Sequence, residues 1–271
     1  MTLQFHRPAG LLAGLSLLRV ETAGPVVHVR LDRAAKRNAL SDELIAELHA
    51  CFVNLPAEAR AVVLSGDGEH FCAGLDLSEL TRRSVTEGIA HSRSWHAAFE
   101  QIEFGRVPVV AVLNGAVVGG GLELASSAHV RVAEDSAFYA LPEGQRGLFV
   151  GGGGAARLPR LIGAARMADM MLTGRVLSAQ EGQQVGLSTY LVVPGQGLAK
   201  AFELAERMAA NAPLSNFAVM QALPRIAQMP QAEGLFVESL MAAIAQGDAG
   251  AKQRMQAFLD GKAGKLRPQE E

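Results

Sequence analysis

Apolar runs of strand length alternate with helical periodicities through the first two thirds of the chain. Residues 26–31 (VVHVRL), 60–68 (RAVVLSGDG) and 107–115 (VPVVAVLNG) are short apolar runs bounded by turn residues, which is typical of buried strands. Residues 41–55 and 84–104 carry apolar side chains three and four positions apart, which predicts helices between those strands. This alternation predicts an α/β core.

The pattern changes near residue 196. Beyond it, LAKAFELAERMAANA, SNFAVMQALPRIAQM and AEGLFVESLMAAIAQGD are apolar stretches with helical spacing and little strand character. We therefore expect an α/β core over residues 1–195 and a helical region over residues 196–271. These helices carry more apolar surface than they can bury among themselves, so we expect them to pack on the core or on another subunit.

Composition narrows the classes of function. The 271 residues carry a net charge of −2 and show no stripe of lysine and arginine, so nucleic acid is not an expected partner. Two cysteines, Cys51 and Cys72, make neither a disulfide framework nor a metal set, which favours a reducing cytoplasm. The stretch AGLLAGLSLL is too short to span a bilayer and lacks the flanks of a signal peptide. We expect a soluble, cytoplasmic protein without a membrane partner.

A run of glycines first suggests a nucleotide site. Residues 151–156 (GGGGAA) match G-x-G-x-x-A after the strand-like GLFV, but we expect Pro159 to interrupt the helix that such a site requires. No strand ending in an acidic residue lies about 20 residues downstream. The motifs of P-loop, serine-hydrolase and zinc-protease sites are absent as well, so this run does not predict nucleotide binding.

Two other glycine-containing segments could each present an accessible backbone N–H group. Residues 70–80 (HFCAGLDLSEL) end a strand at Ala73-Gly74, where small side chains leave backbone N–H groups accessible. In VVGGGLELA, glycines that include Gly120 begin a helix, where unpaired N–H groups favour negative charge. Brought together, two such N–H groups would form an oxyanion hole. The alternative is that these glycines only permit turns or close packing.

Two glutamates accompany these segments. Glu123 lies in an otherwise small and apolar run, where a carboxylate is costly to bury without a partner. Glu143 lies between Pro142 and Gly144 in a segment typical of a loop. Two carboxylates beside an oxyanion hole could share acid and base work on one water molecule. The alternative for each is a charge near a helix N-terminus or a surface ion pair.

At these segments the sequence resembles the crotonase (enoyl-CoA hydratase/isomerase) superfamily. RAAKRNALS is similar to the family's segment beside the CoA site, and FCAGLDLSEL to its first oxyanion-hole segment. VPVVAVLNGAVVGGGLELASSAHVRVAEDSAFYALPEGQRG resembles the second oxyanion-hole segment with the catalytic carboxylates. TGRVLSAQEGQQVGLSTYLV resembles the segment that leads into the C-terminal helices. The resemblance covers roughly residues 17–262.

The resemblance implies a spiral of β-β-α units followed by a helical trimerisation region that also covers the CoA site. Trimers, or hexamers made of two trimers, are the expected assemblies. The implied substrate is an acyl-CoA, with no metal and no cofactor beyond the coenzyme A of the substrate itself. Backbone N–H groups of Ala73 and Gly120 would bind the thioester oxygen and stabilise an enolate.

Among the family's reactions, the resemblance favours hydration of an enoyl-CoA. Hydratases of the family hold one water between two glutamates, and both matching positions are glutamates here. Glu123 would help to deprotonate the water, Glu143 would deliver a proton to the α carbon, and the backbone of Gly151 would assist the water. The alternatives are a Δ3,Δ2-enoyl-CoA isomerase or another acyl-CoA lyase of the family, which would use Glu143, and a non-catalytic member that binds acyl-CoA.

The remaining site predictions concern the two ends of the substrate. Candidates for the wall of the acyl pocket are Leu80, Trp95, Phe99 and Arg146, each with a core, packing or surface role as its alternative. Candidates for the CoA phosphates are Arg33, Lys36 and Arg37, each of which could instead be an ordinary solvated charge.

Overall fold

The computed structural model describes residues 4–79 and 83–261, and the chain divides into two units, Met1–Ala209 and Ala210–Glu271. Nine strands of the described residues lie in the first unit. They are β1 (Leu18–Ala23), β2 (Val26–Leu31), β3 (Ala61–Gly66), β4 (Val109–Leu113), β5 (Ala116–Val118), β6 (Val130–Glu134), β7 (Phe138–Ala140), β8 (Leu177–Ser178) and β9 (Tyr190–Val192).

These strands form two sheets. The larger has the order β1-β2-β3-β4-β6-β9, with an antiparallel β1–β2 pair and parallel pairing from β2 onward. The smaller has the order β5-β7-β8, in which β5 and β7 are parallel and β8 is antiparallel. Loops that follow parallel strands lie at the same edge of a sheet, which later decides where the functional residues meet.

The helices of the first unit follow the strands in the predicted alternation. They are α1 (Asp42–Val53), α2 (Val85–Glu103), α3 (Gly120–Ser127), α4 (Gly154–Ile162), α5 (Ala164–Thr173), α6 (Ala179–Val185) and α7 (Gly197–Ala210). Ser41 caps α1 by accepting the N–H of Leu44. Short 3-10 turns lie at Gly10–Gly14, Ala34–Lys36, Leu77–Glu79 and Gly144–Arg146.

The large sheet is buried on both faces, which explains its continuous apolar strands. Because side chains alternate across a strand, Val62 and Leu64 of β3 enter one core while Ala61 and Val63 enter another. Phe202 and neighbouring residues of α7 fill the second core. The predicted α/β core is thus confirmed, and the first predicted C-terminal helix packs within it.

The second unit is helical. It comprises α8 (Pro213–Phe217), a π-helical turn (Ala218–Ala222), α9 (Leu223–Ile226), α10 (Gln231–Gly247) and α11 (Ala249–Leu259). Gly234 of α10 packs against α9, where a Cβ would lie in ordinary contact, 3.4 Å from the Ile226 carbonyl oxygen. Large apolar side chains of α10, among them Phe236 and Leu240, are exposed. A boundary at residue 196, trimerisation and a covering role over the CoA site stay predictions.

Two further findings bear on the sequence predictions. Pro159 lies inside α4, so the expectation that it interrupts the helix is wrong. The carbonyl that it deprives of a partner belongs to Ala155, which is exposed and can bond to water instead. Within residues 4–79 and 83–261, no helix is long and apolar enough to cross a bilayer.

Two histidines make the stability of the first unit dependent on pH. His28 pairs with the Ser65 hydroxyl at 2.8 Å beneath Phe202, and the half-buried His129 lies beside β4. Burial lowers the pKa of each from 6.5 to about 4. Between these values the unfolded chain binds more protons than the folded chain, so stability is full above pH 6.5 and falls as the pH drops toward 4.

We predict that the free energy of unfolding decreases by roughly 3 kcal/mol for each of these histidines between pH 6.5 and 4. Urea unfolding at a series of pH values, followed by the fluorescence of Trp95, measures this. His28→Asn removes one titrating group and should flatten the slope, whereas His49→Gln, at an exposed position, should not. Equal slopes for all three proteins would contradict the prediction.

Candidate active site

A cavity of about 300 Å³ lies where four segments of the first unit meet. Its lining comes from residues within 73–77, 83–95, 118–123 and 142–152. The sheet pairings explain the meeting. Segment 73–77 follows β3. Segment 118–123 comes after the consecutive strands β4 and β5, and β4 is the parallel neighbour of β3. Segment 142–152 follows β7, the parallel neighbour of β5, whose Val118 pairs with Ala140.

The first segment presents a free backbone N–H, but not the predicted one. The N–H of Ala73 donates to the Arg37 carbonyl at 3.0 Å, so the prediction that Ala73 supplies a free donor is wrong. The Gly74 carbonyl and the Asp76 N–H both bond to Leu40, which turns the peptide N–H of Leu75 to the opposite side. No acceptor among the described residues binds that N–H. Leu75 is the residue that sequence reasoning missed.

The second free N–H belongs to Gly120, the first residue of α3. Gly119 turns the chain with a φ of 53°, and its own N–H donates to the Ala140 carbonyl. The Gly120 N–H has no acceptor within the part of the chain that the structure describes, as expected for the first turn of a helix. A Cβ at Gly74 would lie 3.3 Å from the Gly120 nitrogen, so the turns carrying both free donors are in contact.

Glu123 is buried, with 3% of its surface exposed, one turn into α3. Its Oε1 accepts the N–H groups of Gly152 and Gly154, each at 2.8 Å. Burial raises the pKa of Glu123, and the nearby Glu143 carboxylate adds to the rise. The N–H donors of the glycine loop, residues 151–154, oppose it. The sequence alternative of a surface ion pair for Glu123 is therefore excluded.

Glu143 reaches the same cavity from the loop after β7. A Cβ on Gly119 would lie 2.6 Å from its Oε1, so the carboxylate borders the turn that precedes Gly120. Its Oε2 is buried and has no hydrogen-bond partner among the described residues. Burial raises the pKa of Glu143, and the Arg146 charge opposes that rise. The two glutamates thus share one cavity in different environments: Oε1 of Glu123 accepts two glycine N–H groups, whereas Oε2 of Glu143 has no partner among the described residues.

The acyl-wall predictions have mixed outcomes. Trp95 is buried and lines the cavity, with its ring edge against Gly120 and Gly152. Phe99 does not line the cavity, because it is fully buried behind Trp95 at a ring separation of 5.8 Å. Arg146 is exposed and lines the cavity. Leu80 lies outside the described residues.

Gly151 also borders the cavity, as does the α2 face beside it. A Cβ on Gly151 would lie 2.9 Å from the Ser92 hydroxyl, so no larger residue fits there without a shift. His91 and Ser92 line the same wall as Trp95. Neither of these two residues was among the predicted site residues. The signal was available, since residues 91, 92 and 95 share one face of a helix.

The basic residues predicted for CoA phosphates do not line the cavity. The Arg33 guanidinium pairs with Asp76 at 2.9 Å and also bonds to the Ala39 carbonyl. Arg33 therefore holds its own loop against the segment that carries Leu75, and the prediction of a free phosphate ligand is wrong for it. Lys36 and Arg37 are exposed, and their contact with CoA stays a prediction.

The arrangement can polarise a carbonyl oxygen and move protons beside it. Two free N–H donors and two carboxylates border one cavity whose remaining wall is largely apolar. No group of three or more His, Cys, Asp or Glu side chains suited to a metal ion occurs in the described ranges.

Comparison with known proteins agrees with this geometry. The family model described as enoyl-CoA hydratase/isomerase matches residues 21–266, and the chain belongs to that family. It is 31% identical to enoyl-CoA hydratase EchA19 of Mycobacterium tuberculosis, over 90% of this chain and 94% of that protein.

Solved structures of similar proteins confirm the crotonase-like fold. A chain from Rhodopseudomonas palustris is 60% identical, with a TM-score of 0.89 over 91% of this chain and 95% of that one. Enoyl-CoA hydratase from Bacillus anthracis is 32% identical, with a TM-score of 0.86 over 94% of this chain and all of that one.

Gly74 provides a test of how the first donor is placed. Its φ of 94° disfavours any side chain, and a Cβ would lie 2.7 Å from the Val118 carbonyl oxygen. We predict that Gly74→Ala lowers the free energy of unfolding by about 2 kcal/mol or more. Gly88→Ala is the matched control, because Gly88 lines the same cavity with open space around its Cβ position and lies in α2. That control should be neutral or stabilising, and urea unfolding compares the two.

Proposed function

We propose that this protein is an enoyl-CoA hydratase, which adds water across the 2,3 double bond of an enoyl-CoA thioester. The observation that carries the proposal is the convergence of two free N–H donors and two carboxylates of unlike environment on one cavity. Membership of the enoyl-CoA hydratase/isomerase family supports an acyl-CoA as the substrate.

In this proposal the thioester oxygen binds between the N–H groups of Leu75 and Gly120. Attack of water at the β carbon moves charge onto that oxygen, so donors already in place lower the barrier without reorganisation. A single donor of this type typically contributes about 2.7–4 kcal/mol. The N-terminal end of α3 adds its positive dipole at the same point.

The environments of the two glutamates support a division of roles between them. When the pair carries one proton, Glu143 is the better place for it, because the Glu123 carboxylate keeps two N–H donors and Glu143 Oε2 has none. Glu123 then acts as the base that takes a proton from water, and Glu143 is the acid that protonates the α carbon. The hydroxyl adds to the β carbon, so the product is a 3-hydroxyacyl-CoA. Gly151 borders the space for that water.

The remaining parts of the proposal concern the ends of the substrate and the setting of the enzyme. We assign Trp95 and Arg146 to the acyl side, and Lys36 and Arg37 to the phosphates of CoA. The exposed apolar side chains of α10 support assembly into trimers or hexamers. Free, buried thiols at both cysteines support a cytoplasmic location.

We predict that Glu123→Gln and Glu143→Gln each reduce kcat for hydration by about 10²–10⁴-fold, because each removes one proton-transfer group. In Glu123→Gln the amide oxygen of the new side chain can still accept both loop N–H groups, so the fold should be retained. Loss of the conjugated enoyl absorbance measures the rate across short, long and aromatic enoyl-CoA substrates. Glu100→Gln, at an exposed position of α2, is the control.

Hydration at the parent rate by both variants would contradict the proposal. The alternative within the family is an isomerase that shuttles a proton with Glu143. It predicts that Glu123→Gln still converts a 3-enoyl-CoA to the 2-enoyl-CoA while Glu143→Gln does not. Product analysis with both substrates separates the two reactions. Tight acyl-CoA binding by the parent without any product would favour the non-catalytic alternative.

A second prediction concerns pH. Hydration requires ionised Glu123, which sets the acidic limb of the rate profile, and protonated Glu143, which sets the alkaline limb. The Arg146 charge lowers the pKa of Glu143, so Arg146→Gln should move the alkaline limb to higher pH. The dependence of kcat on pH measures this shift, with the exposed Arg93→Gln as control. A shift to lower pH would contradict the assigned roles.

A further inference from the structure

The glycine loop that holds Glu123 is itself held from its other side by an arginine. Arg157, in the first turns of α4, donates through Nη1 to the Gly152 carbonyl at 3.1 Å. Its Nε donates to Glu103 Oε2 at 2.6 Å, in an ion pair whose side chains are 11% and 26% exposed. One guanidinium therefore joins the glycine loop to the last residue of α2.

Glu103, which anchors Arg157, is held in turn by a hydrogen bond from His129. The Glu103 carbonyl accepts Nε2 of His129 at 3.0 Å, and Nδ1 of His129 accepts the Val109 N–H at 3.0 Å. Those two bonds require one neutral tautomer of the ring, with its proton on Nε2. Burial lowers the pKa of His129 to about 4, which keeps the ring neutral at physiological pH. Arg157 thus ties the loop to a rigid part of the large sheet.

The loop geometry depends on this contact. Gly152 donates its N–H to Glu123 and offers its carbonyl to Arg157, so both of its peptide groups are oriented. Gly153 follows with a φ of 99°, and a Cβ there would collide with Arg157 Nη1. The next residue, Gly154, then directs its N–H to the same oxygen of Glu123. A conformation that only glycine adopts readily needs an external contact to be held in one place.

We propose that Arg157 is a positioning residue for Glu123: it fixes the glycine loop so that both N–H donors stay on Oε1, and it thereby sets the orientation and acidity of the carboxylate. Arg157 does not line the cavity and touches no substrate in this assignment. The inference rests on the proposed function for its kinetic consequence. The contacts that carry it do not depend on which reaction the site performs.

The experiment compares Arg157→Gln, Arg157→Lys and Glu103→Gln with the parent. Arg160→Gln, exposed on the same helix, is the matched control. Displacing a catalytic group by about 1 Å costs on the order of 10²-fold in rate, so we expect kcat of Arg157→Gln to fall about 10–100-fold. KM should change less than about threefold, because the substrate contacts remain. Loss of N–H donors raises a carboxyl pKa, so the acidic limb should move to higher pH.

Arg157→Lys should give partial rescue, since an ammonium keeps the charge without the planar fork that bridges two acceptors. Glu103→Gln keeps Arg157 and weakens its anchor, so it should shift the same limb by a smaller amount. If Arg157→Gln does not fold, Glu103→Gln still tests whether Arg157 positions Glu123.

A readout without turnover separates this inference from the proposed function. In protein labelled with 13C at the glutamate carboxyl carbon, the resonance lost in Glu123→Gln identifies Glu123, and its titration gives the pKa directly. A higher pKa in Arg157→Gln and Glu103→Gln than in Arg160→Gln supports the positioning role. An unchanged pKa and acidic limb, with only a lower melting temperature, would overturn it. If the parent hydrates no enoyl-CoA, the proposed function fails while this titration still decides the role of Arg157.

Discussion

A carboxylate removed from water needs donors, and in this protein backbone N–H groups of the glycine loop supply them to Glu123. The hydrogen bonds from Gly152 and Gly154 favour the ionised form of this buried carboxyl and oppose the rise in its pKa that burial causes. Glycine is required at these positions, since a Cβ on Gly154 would lie 2.8 Å from Glu123 Cγ. The acidity of one side chain therefore depends on the shape of a loop about thirty residues away in sequence.

The sheets bring three of the four cavity segments together before any side chain acts. Segment 73–77 follows β3, the parallel neighbour of β4, while segments 118–123 and 142–152 follow β5 and β7, which pair in parallel, so these three segments emerge close together. The large sheet has cores on both faces, which makes this scaffold rigid. Side chains on such a scaffold need few contacts of their own to be held in place, and Glu143 has an oxygen without any hydrogen-bond partner in the described ranges.

Local patterns predicted the elements and the two glutamates, because strand and helix periodicities and a carboxylate in an apolar run are local properties. The free donor was misassigned to Ala73, because which N–H is free depends on pairing with Leu40, more than thirty residues earlier. Helical spacing placed Trp95 and Phe99 on one face but could not tell which of them reaches the cavity. Arg33 was misassigned for a similar reason, since its partner Asp76 is distant in sequence.

The glycines divide the cavity wall into a part that tolerates no side chain and a part that does. At Gly74, Gly120 and Gly152 an added methyl would strike backbone or another side chain at less than 3 Å, whereas Gly88 faces open space. Substitutions on the α2 side can thus change the shape of the cavity while the two carboxylates and the free N–H donors stay in place.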